Sequence, residues 1–218
     1  HLLENIAIER IRVEFEKLFQ GEFAPFGLAV FFQSELYEYT PLLKNEGEAI
    51  LNFQEALKIS SVKDSIIGWT LLYDLLSSKK NLNDFVKAWK FPNDTLRQMK
   101  ALMTYLPLRK QGFLQSLEIY YLGVELAEKL EDILPFYGLT PEKTRLKEIF
   151  AALPIKKRQE LAISGEDILA YFKKPGGKWV GDSIEFIEKQ VVLGLVKNEK
   201  ESLLTLIQEE FSWNKPLL

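Results

Sequence analysis

Apolar residues recur every three or four positions along almost the whole chain, which is the spacing of one face of an α-helix. The first nineteen residues already follow this period, with Leu3, Ala7, Ile11, Phe15 and Leu18 on one face. Later stripes run through Ile66, Trp69, Leu72, Tyr73 and Leu76, through Leu96, Met99, Leu102, Met103 and Leu106, through Leu122, Leu126, Leu130 and Leu134, through Ile184, Ile187 and Val191, and through Leu203, Leu204, Ile207 and Phe211. No segment alternates between apolar and polar residues for long enough to predict a sheet. We therefore predict an all-α chain.

Residues that start and stop helices divide this pattern into roughly ten to twelve helices joined by short links. The start signals are Asn93 as an N-cap, Pro141 at a first helical position, and capping boxes at Ser164 with Asp167 and at Asn198 with Glu201. Gly138 and Gly194 stand where helices should stop. The expected architecture is an elongated multi-helix array.

The start of the chain carries neither an initiator methionine nor a Ser, Thr, Asp or Asn cap ahead of the first helical stripe. We therefore expect the chain to be the C-terminal piece of a longer polypeptide. On that expectation the stripe of the first helix has lost its packing partner. This predicts either self-association, for example as a homodimer, or a pliable N-terminus.

Composition narrows the classes of function. The net charge is −3, so a nucleic-acid site would need local clustering of cations. The chain has no cysteine and His1 is its one histidine, which excludes the usual zinc sites, and we assign no metal ligand. No apolar run approaches the ~20 residues that span a bilayer, and no signal peptide is visible. We expect a cytoplasmic protein without a membrane partner.

One region is locally basic. Positions 156 to 178 contain six cations and three carboxylates. The cations are Lys156, Lys157, Arg158, Lys173, Lys174 and Lys178. Gly176 and Gly177 precede a helix that begins near Trp179, and glycines beside a helix N-terminus can admit a phosphate to the free amides. The alternative is a plain turn between two helices with solvated lysines.

A second set of cations lies earlier in the chain. Arg97 and Lys100 fall on the polar face of the helix that follows Asn93, and Arg109 and Lys110 lie near its end. They could extend a basic strip toward residues 107–112, the best candidate hinge. The alternative is a solvated face whose C-terminal cations complement the helix dipole.

Groups for catalysis are scarce, and we assign no catalytic residue. Phosphate-binding loops of the Gly-x-x-x-x-Gly-Lys and Gly-x-Gly-x-x-Gly types are absent. Arg10 with Glu14, and Arg12 with Glu16, have i,i+4 spacing, which predicts ordinary surface ion pairs.

Three parts of the chain, the last of them made of several stretches, resemble the bacterial class II CCA-adding enzymes, the tRNA nucleotidyltransferases. Residues 8–18 (IERIRVEFEKL) resemble the last motif of the neck domain, and residues 89–97 (WKFPNDTLR) resemble a body-domain segment. The stretches 152–169 (ALPIKKRQELAISGEDIL), 176–181 (GGKWVG) and 196–204 (VKNEKESLL) are similar to the tail of the Gram-positive enzymes. The resemblance implies an end of neck at 1–40, a body at 41–110 and a tail at 111–218.

The resemblance also implies where the chemistry lies. In this family a head carries a metal-binding Asp-x-Asp and the neck carries a nucleotide-selecting Glu-Asp-x-x-Arg. Neither motif is found here. The two Glu-Asp pairs of the chain, Glu131-Asp132 and Glu166-Asp167, both lack the arginine three positions after the aspartate. Only the last neck motif transfers, onto Arg10 and Glu14 as scaffold residues. This chain should bind no cofactor and be inactive alone, while the parent enzyme, with its missing head in cis, should use Mg²⁺ with ATP and CTP.

For the body and tail the resemblance implies a grip on the acceptor stem and T arm of tRNA, through shape and backbone rather than sequence. The cations named above are then candidate RNA contacts. Two alternatives stay open: a helical protein-interaction module without an RNA role, and the C-terminal part of a bacterial poly(A) polymerase. The compact tail that ends near residues 198–201 argues against the poly(A) polymerase.

Overall fold

The computed structural model describes residues 6–78 and 81–211, and within these ranges it contains twelve α-helices and no β-strand. The helices are α1 Ile8–Gln20, α2 Ala24–Gln33, α3 Gly47–Ile59, α4 Ser65–Leu75, α5 Leu82–Ala88, α6 Asn93–Gln111, α7 Ser116–Leu122, α8 Val124–Ile133, α9 Lys143–Ala152, α10 Gly165–Phe172, α11 Lys178–Val192 and α12 Lys200–Glu210. Short 3-10 helices occupy Leu36–Tyr39, Leu134–Tyr137 and Arg158–Glu160. The all-α prediction is confirmed. His1 and Leu3 lie outside the described residues.

The described residues form two compact units. Unit 1 contains 6–78, 81–113 and 125–143, and unit 2 contains 114–124 and 144–211. Unit 2 therefore takes α7 from the middle of the chain as well as its C-terminal helices. The division into an end of neck, a body and a tail stays a prediction, because compactness alone does not define those domains.

Unit 1 is built around a cluster of buried aromatic rings. Phe15 and Phe19 stand one turn apart on α1, so both point to the same side, as the apolar period requires. The Phe15 ring stacks on Trp89 at 5.9 Å between centroids, and Trp69 of α4 lies 4.6 Å from Trp89. Rings of this size bury large apolar areas, so the cluster anchors α1 to the helices that follow.

Gly68 allows α4 to approach α1 closely. A Cβ atom at this position would lie 2.4 Å from Cε2 of Phe19 and 2.8 Å from its Cδ2. Non-bonded atoms do not approach to that distance, so any larger residue would force the Phe19 ring or α4 to shift.

Arg12 and Glu16 connect α1 to distant parts of unit 1. Arg12 Nη1 donates to the carbonyl oxygen of Trp89 at 3.0 Å and also bonds that of Lys90. Glu16 Oε1 accepts the indole N–H of Trp69 at 2.8 Å. The surface-pair interpretation of Arg12 and Glu16 was therefore wrong: the pair lies 3.8 Å apart and is largely buried.

Part of the apolar face of unit 1 stays open to solvent. Phe23 and Phe26, at the start of α2, are 74% and 73% exposed, and Val30 on the next turns is about half exposed. Unit 1 also has a groove of about 370 Å³, lined chiefly by apolar side chains, among them Ile6, Ile11, Leu18, Phe31 and Leu36. The predicted stripe of α1 is thus buried at Phe15 and borders this groove at Ile11 and Leu18, and Phe19, outside that stripe, is also buried.

Unit 2 surrounds α11, which contacts α7, α10 and α12. Its core is aliphatic where that of unit 1 is aromatic, with Ile168, Ile187, Val191, Leu203 and Ile207 fully buried. Of these, Ile187 and Val191 on α11 and Leu203 and Ile207 on α12 have the i,i+4 spacing that the sequence pattern predicted.

Some predicted helix ends are confirmed. Gly138 and Gly194 have φ values of +70°, which L side chains adopt at a cost, and each follows a helix. The capping box at Ser164 is present, since the Ser164 hydroxyl accepts from the Asp167 amide and the Asp167 carboxylate accepts from the Ser164 amide.

Other predicted helix starts differ. Helix α9 begins at Lys143, two residues after Pro141, and the Glu142 amide just ahead of it donates to Glu131. Asn198 does not cap α12: its side chain donates to the Glu160 carbonyl oxygen and accepts from the Ala162 amide. Asn93 is the first residue of α6 rather than its cap. The same helix continues through Pro107 to Gln111, so most of the candidate hinge at 107–112 is helical.

Candidate nucleic-acid interface

The turn between α10 and α11 carries the exposed lysines that the sequence singled out. Lys173 ends α10 in the left-handed region, with a φ of +51°. Two residues later the chain is held in place, since the Trp179 indole N–H donates to the carbonyl oxygen of Pro175 at 2.9 Å. We call residues 173–178 the basic turn.

The basic turn leads into the uncapped N-terminus of α11. Gly177 is the N-cap, and it supplies no side chain to the first amides of the helix. Its backbone is extended, and a Cβ there would make ordinary contact with Trp179 at 3.4 Å, so glycine is not required by conformation. The absence of a side chain leaves the partial positive charge of the helix start unscreened.

Lys178 stands at this helix start with 90% of its side chain exposed. Its ammonium lies 3.8 Å from the Asp182 carboxylate, at the edge of ion-pair distance. Lys173 is also exposed, Lys174 is half-buried, and Gly176 and Gly177 are open to solvent. The basic turn therefore brings Lys173, Lys178 and the start of α11 together.

The cations at 156–158 have different environments from one another. Lys156 Nζ donates to the carbonyl oxygens of Ala151 and Leu153, at 2.8 Å and 2.5 Å, and so caps the end of α9. Lys157 is exposed. Arg158 is half exposed but bonds Glu188 through both Nε and Nη2.

Glu188 is a buried carboxylate that the sequence did not reveal as important. It accepts the Tyr120 hydroxyl at 2.7 Å as well as the two bonds from Arg158, so it links α7, α11 and the 3-10 helix Arg158–Glu160. Burial, together with the bond to Glu188, raises the pKa of Tyr120. The bond to Glu188 likewise raises the pKa of Arg158. In the sequence, the only indication that Glu188 is buried was its position next to Ile187 on an otherwise apolar face of the helix.

Arg109 is buried inside unit 1 and does not extend a surface strip. Its Nε and Nη2 atoms donate to the two oxygens of Glu131 at 2.7 Å and 3.1 Å. Lys110 bonds Asp74 at 2.9 Å and lies 3.3 Å from the centroid of the Tyr137 ring. Both cations thus have partners within unit 1, and an RNA role for Arg109 would require this buried pair to open.

Arg97 and Lys100 lie on the exposed face of α6, as predicted. Arg97 pairs with Asp94 at 2.7 Å, and the bond from Arg97 is the main reason that the pKa of Asp94 is lowered. Because Arg109 is buried and Lys110 is half-buried, these two residues do not continue into an exposed basic strip along α6.

The neck-motif residues Arg10 and Glu14 are exposed, and Glu14 bonds Lys17 at 2.8 Å. Arg12 and Glu16, two positions further along the same helix, do bond to distant residues of unit 1. A scaffold role for Arg10 and Glu14 stays a prediction.

The described residues offer neither a metal-binding cluster nor a membrane-spanning helix. No three His, Cys, Asp or Glu side chains within 6–78 and 81–211 are grouped so that they could hold a metal ion. In the same ranges no helix has the length and apolar character needed to cross a bilayer.

The helical fold and the basic turn define an all-α protein with a candidate phosphate-binding surface. A family model described as tRNA nucleotidyltransferase domain 2 matches residues 60–207, which is more than half of the chain, so the chain belongs to this family. A second model, described as "Probable RNA and SrmB- binding site of polymerase A", matches residues 1–46.

Curated relatives carry the name CCA-adding enzyme. The protein from Enterococcus faecalis is 35% identical over 97% of this chain and 52% of its own length, and one from Bacillus cereus is 34% identical over 96% and 53%. The crystal structure of the Bacillus stearothermophilus CCA-adding enzyme in complex with CTP is similar with a TM-score of 0.85 and 30% identity, over 97% of this chain and 54% of that one. The resemblance inferred from the sequence is confirmed, and the chain spans about half the length of these relatives.

Proposed function

We propose that this chain is the tRNA-holding part of a CCA-adding tRNA nucleotidyltransferase. In this proposal it contacts the acceptor stem and T arm, while a head carried elsewhere in the same polypeptide adds C, C and A to the 3′ end. Membership of the tRNA nucleotidyltransferase family and the names of the relatives support the class of substrate.

The observation that carries the RNA-binding role is the basic turn. Lys173 and Lys178 are exposed beside an α11 N-terminus that no side chain caps. Lysine ammonium groups and free helix amides both bind phosphate oxygens, and neither distinguishes one base from another. Such a surface suits double-helical RNA, whose deep groove side chains cannot read. Lys157, Lys100 and Arg97 are exposed and are secondary candidates, and the net charge of −3 would discourage adhesion elsewhere.

Magnesium, ATP and CTP belong to the proposed head. The described residues offer no group of carboxylates that fits a metal ion, so no step of the transfer is assigned to them. We expect the purified 218-residue chain to add no nucleotide to tRNA. Labelled ATP or CTP incorporated into tRNA by this chain would contradict that expectation.

Charge reversal in the basic turn tests the RNA-binding role. Lys173→Glu, Lys174→Glu and Lys178→Glu should each weaken tRNA binding, and removal of each phosphate contact should lower the salt slope by about one. Lys197→Glu is the matched control, since Lys197 is a surface lysine beyond the opposite end of α11. Equal salt slopes for the turn variants and the control would overturn the assignment.

Two other functions have support from particular observations. The match of residues 1–46 to a polymerase A family supports a poly(A) polymerase as an alternative. Activity of the full-length parent on tRNA that lacks its terminal A would distinguish a CCA-adding enzyme from a poly(A) polymerase. The exposed Phe23 and Phe26 would suit a protein-interaction module. Failure of the chain to bind tRNA at low salt would favour that module.

A further inference from the structure

Tyr171 presents a half-exposed aromatic ring directly before the basic turn. The residue lies in the last turn of α10 and is 50% exposed. Most other tyrosine and phenylalanine rings of unit 2 are covered to a greater extent, including Phe172 beside it, which packs against the core of the unit. Half of the Tyr171 side chain is therefore accessible to a ligand.

Two contacts fix the orientation of this ring. The Tyr171 hydroxyl donates to Oε1 of Gln208 on α12 at 3.2 Å. The Phe172 ring meets the Tyr171 ring edge to face, with centroids 4.9 Å apart and an angle of 76°. Phe172 is in turn held edge to face by Trp179, the residue whose indole fixes the turn. The ring is thus held before any ligand arrives, which lowers the entropy cost of a stacking contact.

An exposed ring close in the chain to exposed lysines is a combination that can bind unpaired nucleotides. A base stacks on an aromatic face whatever its identity, while cations hold the phosphates on either side of it. Proteins recognise RNA largely where bases are unstacked, in loops, bulges and ends. Lys173 lies two residues from Tyr171, and both are exposed.

We propose that Tyr171 stacks on one unpaired nucleobase of the bound RNA, with Lys173 on an adjacent phosphate. This inference rests on the proposed function and adds to it, because a grip on duplex backbone requires no unpaired nucleotide. Unit 2 would then bind at a place where a helical region of the RNA meets a loop or an end.

Substitution of Tyr171 separates stacking from a structural role. Tyr171→Ala should weaken tRNA binding about tenfold, and Tyr171→Phe, which keeps the ring but removes the bond to Gln208, should bind nearly as well as the unmodified chain. A blunt RNA duplex without unpaired nucleotides should bind all three proteins equally. Tyr121→Ala is the matched control, because Tyr121 on α7 of the same unit is 45% exposed and should not affect binding.

An abasic scan of the tRNA locates the base. Removing the stacked base should weaken binding to the unmodified chain about tenfold, and should weaken binding to Tyr171→Ala no further, since that variant no longer has the ring on which the base stacks. If the two effects add, or if Tyr171→Ala binds tRNA as the unmodified chain does, the stacking proposal is wrong. Tyr171→Leu, which keeps an apolar cover over Phe172, serves if the alanine variant fails to fold.

The outcomes distinguish this proposal from the function on which it rests. If the lysine variants of the basic turn weaken tRNA binding and Tyr171→Ala does not, stacking fails and RNA binding stands. If neither set changes binding, the basic turn is not the RNA-binding surface, and the stacking proposal and the assignment of the basic turn fail together.

Discussion

The Nε atom of Arg109 lies 2.7 Å from Oε1 of Glu131, in a pair whose side chains are 7% and 1% exposed. The second oxygen of Glu131 accepts from Arg109 Nη2 and from the amide of Glu142. The pair therefore joins α6 to α8 and holds the segment that precedes α9. A carboxylate in this position depends on its partner, because water cannot reach it.

Loss of the arginine should destabilise unit 1 strongly. Arg109→Met would leave the Glu131 charge buried without its cation, and we expect the free energy of unfolding to fall by about 3–5 kcal/mol. Urea unfolding followed by circular dichroism measures this change. Arg97→Met on the same helix removes an exposed pair and should cost less than about 1 kcal/mol. Similar decreases for the two variants would show that the buried pair contributes no more than a surface pair.

Gly68→Ala should destabilise the aromatic cluster of unit 1. The new methyl group would stand within 2.4 Å of the Phe19 ring, so the ring or α4 must shift, at a cost of about 1–3 kcal/mol. Thermal unfolding measures the decrease in stability, and adding Phe19→Leu should restore part of it. Gly181→Ala is the control, because a Cβ at that site on α11 meets open space and should stabilise the helix slightly. A Gly68 variant as stable as the control would refute the close-approach argument.

Asp167 should contribute to stability that disappears in acid. Lys200 donates to its carboxylate, and the Ser164 amide and hydroxyl do the same, so the pKa of Asp167 in the folded protein lies below its ordinary value. A lowered folded pKa means that the contribution is complete above the unfolded pKa of about 3.9 and is lost as the pH falls below it.

Asp167→Asn should therefore flatten the fall in stability between about pH 4 and pH 2. Lys200→Met, which removes the main partner, should flatten it in the same direction. Urea midpoints measured across this pH range make the comparison. Acid curves for both variants that run parallel to the curve of the unmodified chain would contradict the linkage.

The open apolar surface of α1 and α2 should cause the chain to associate with a second copy of itself. Phe23 and Phe26 expose large rings at the start of α2, and α1 borders the apolar groove. Burial of such surface favours association. Sedimentation velocity over a range of concentrations should show a rising mean mass, and Phe23→Ser with Phe26→Ser should abolish the rise. Leu195→Ser removes a similarly exposed apolar residue from unit 2 and should change nothing. A monomer at every concentration would refute this prediction.

Local signals in the sequence predicted most of the helices and several of their ends. Gly138, Gly194 and the Ser164–Asp167 box act through residues within a few positions of one another, so their geometry follows from the chain itself. The family resemblance was also recognisable from the sequence, because it rested on contiguous segments at both ends of the chain.

Contacts between distant residues could not be predicted in this way. Arg109 and Glu131 are separated by 22 positions, and Asn198 and Glu160 by 38, so nothing in the local pattern pairs them. These contacts explain two errors at once. The contact with Glu131 buries Arg109, which the sequence had placed in a surface strip. The contact with Glu160 engages the side chain of Asn198, which the sequence had predicted to be a helix cap.

Backbone conformation and phosphate binding favour different residues at position 173, which is a lysine. Its left-handed backbone, with a φ of +51°, is strained by about 1 kcal/mol for any residue with a Cβ and would suit glycine. A ligand phosphate, by contrast, would require the ammonium group that glycine lacks. Tighter folding and tighter RNA binding would therefore select different amino acids at this site, and a more heat-resistant version of the chain that carries glycine there should hold its RNA less well.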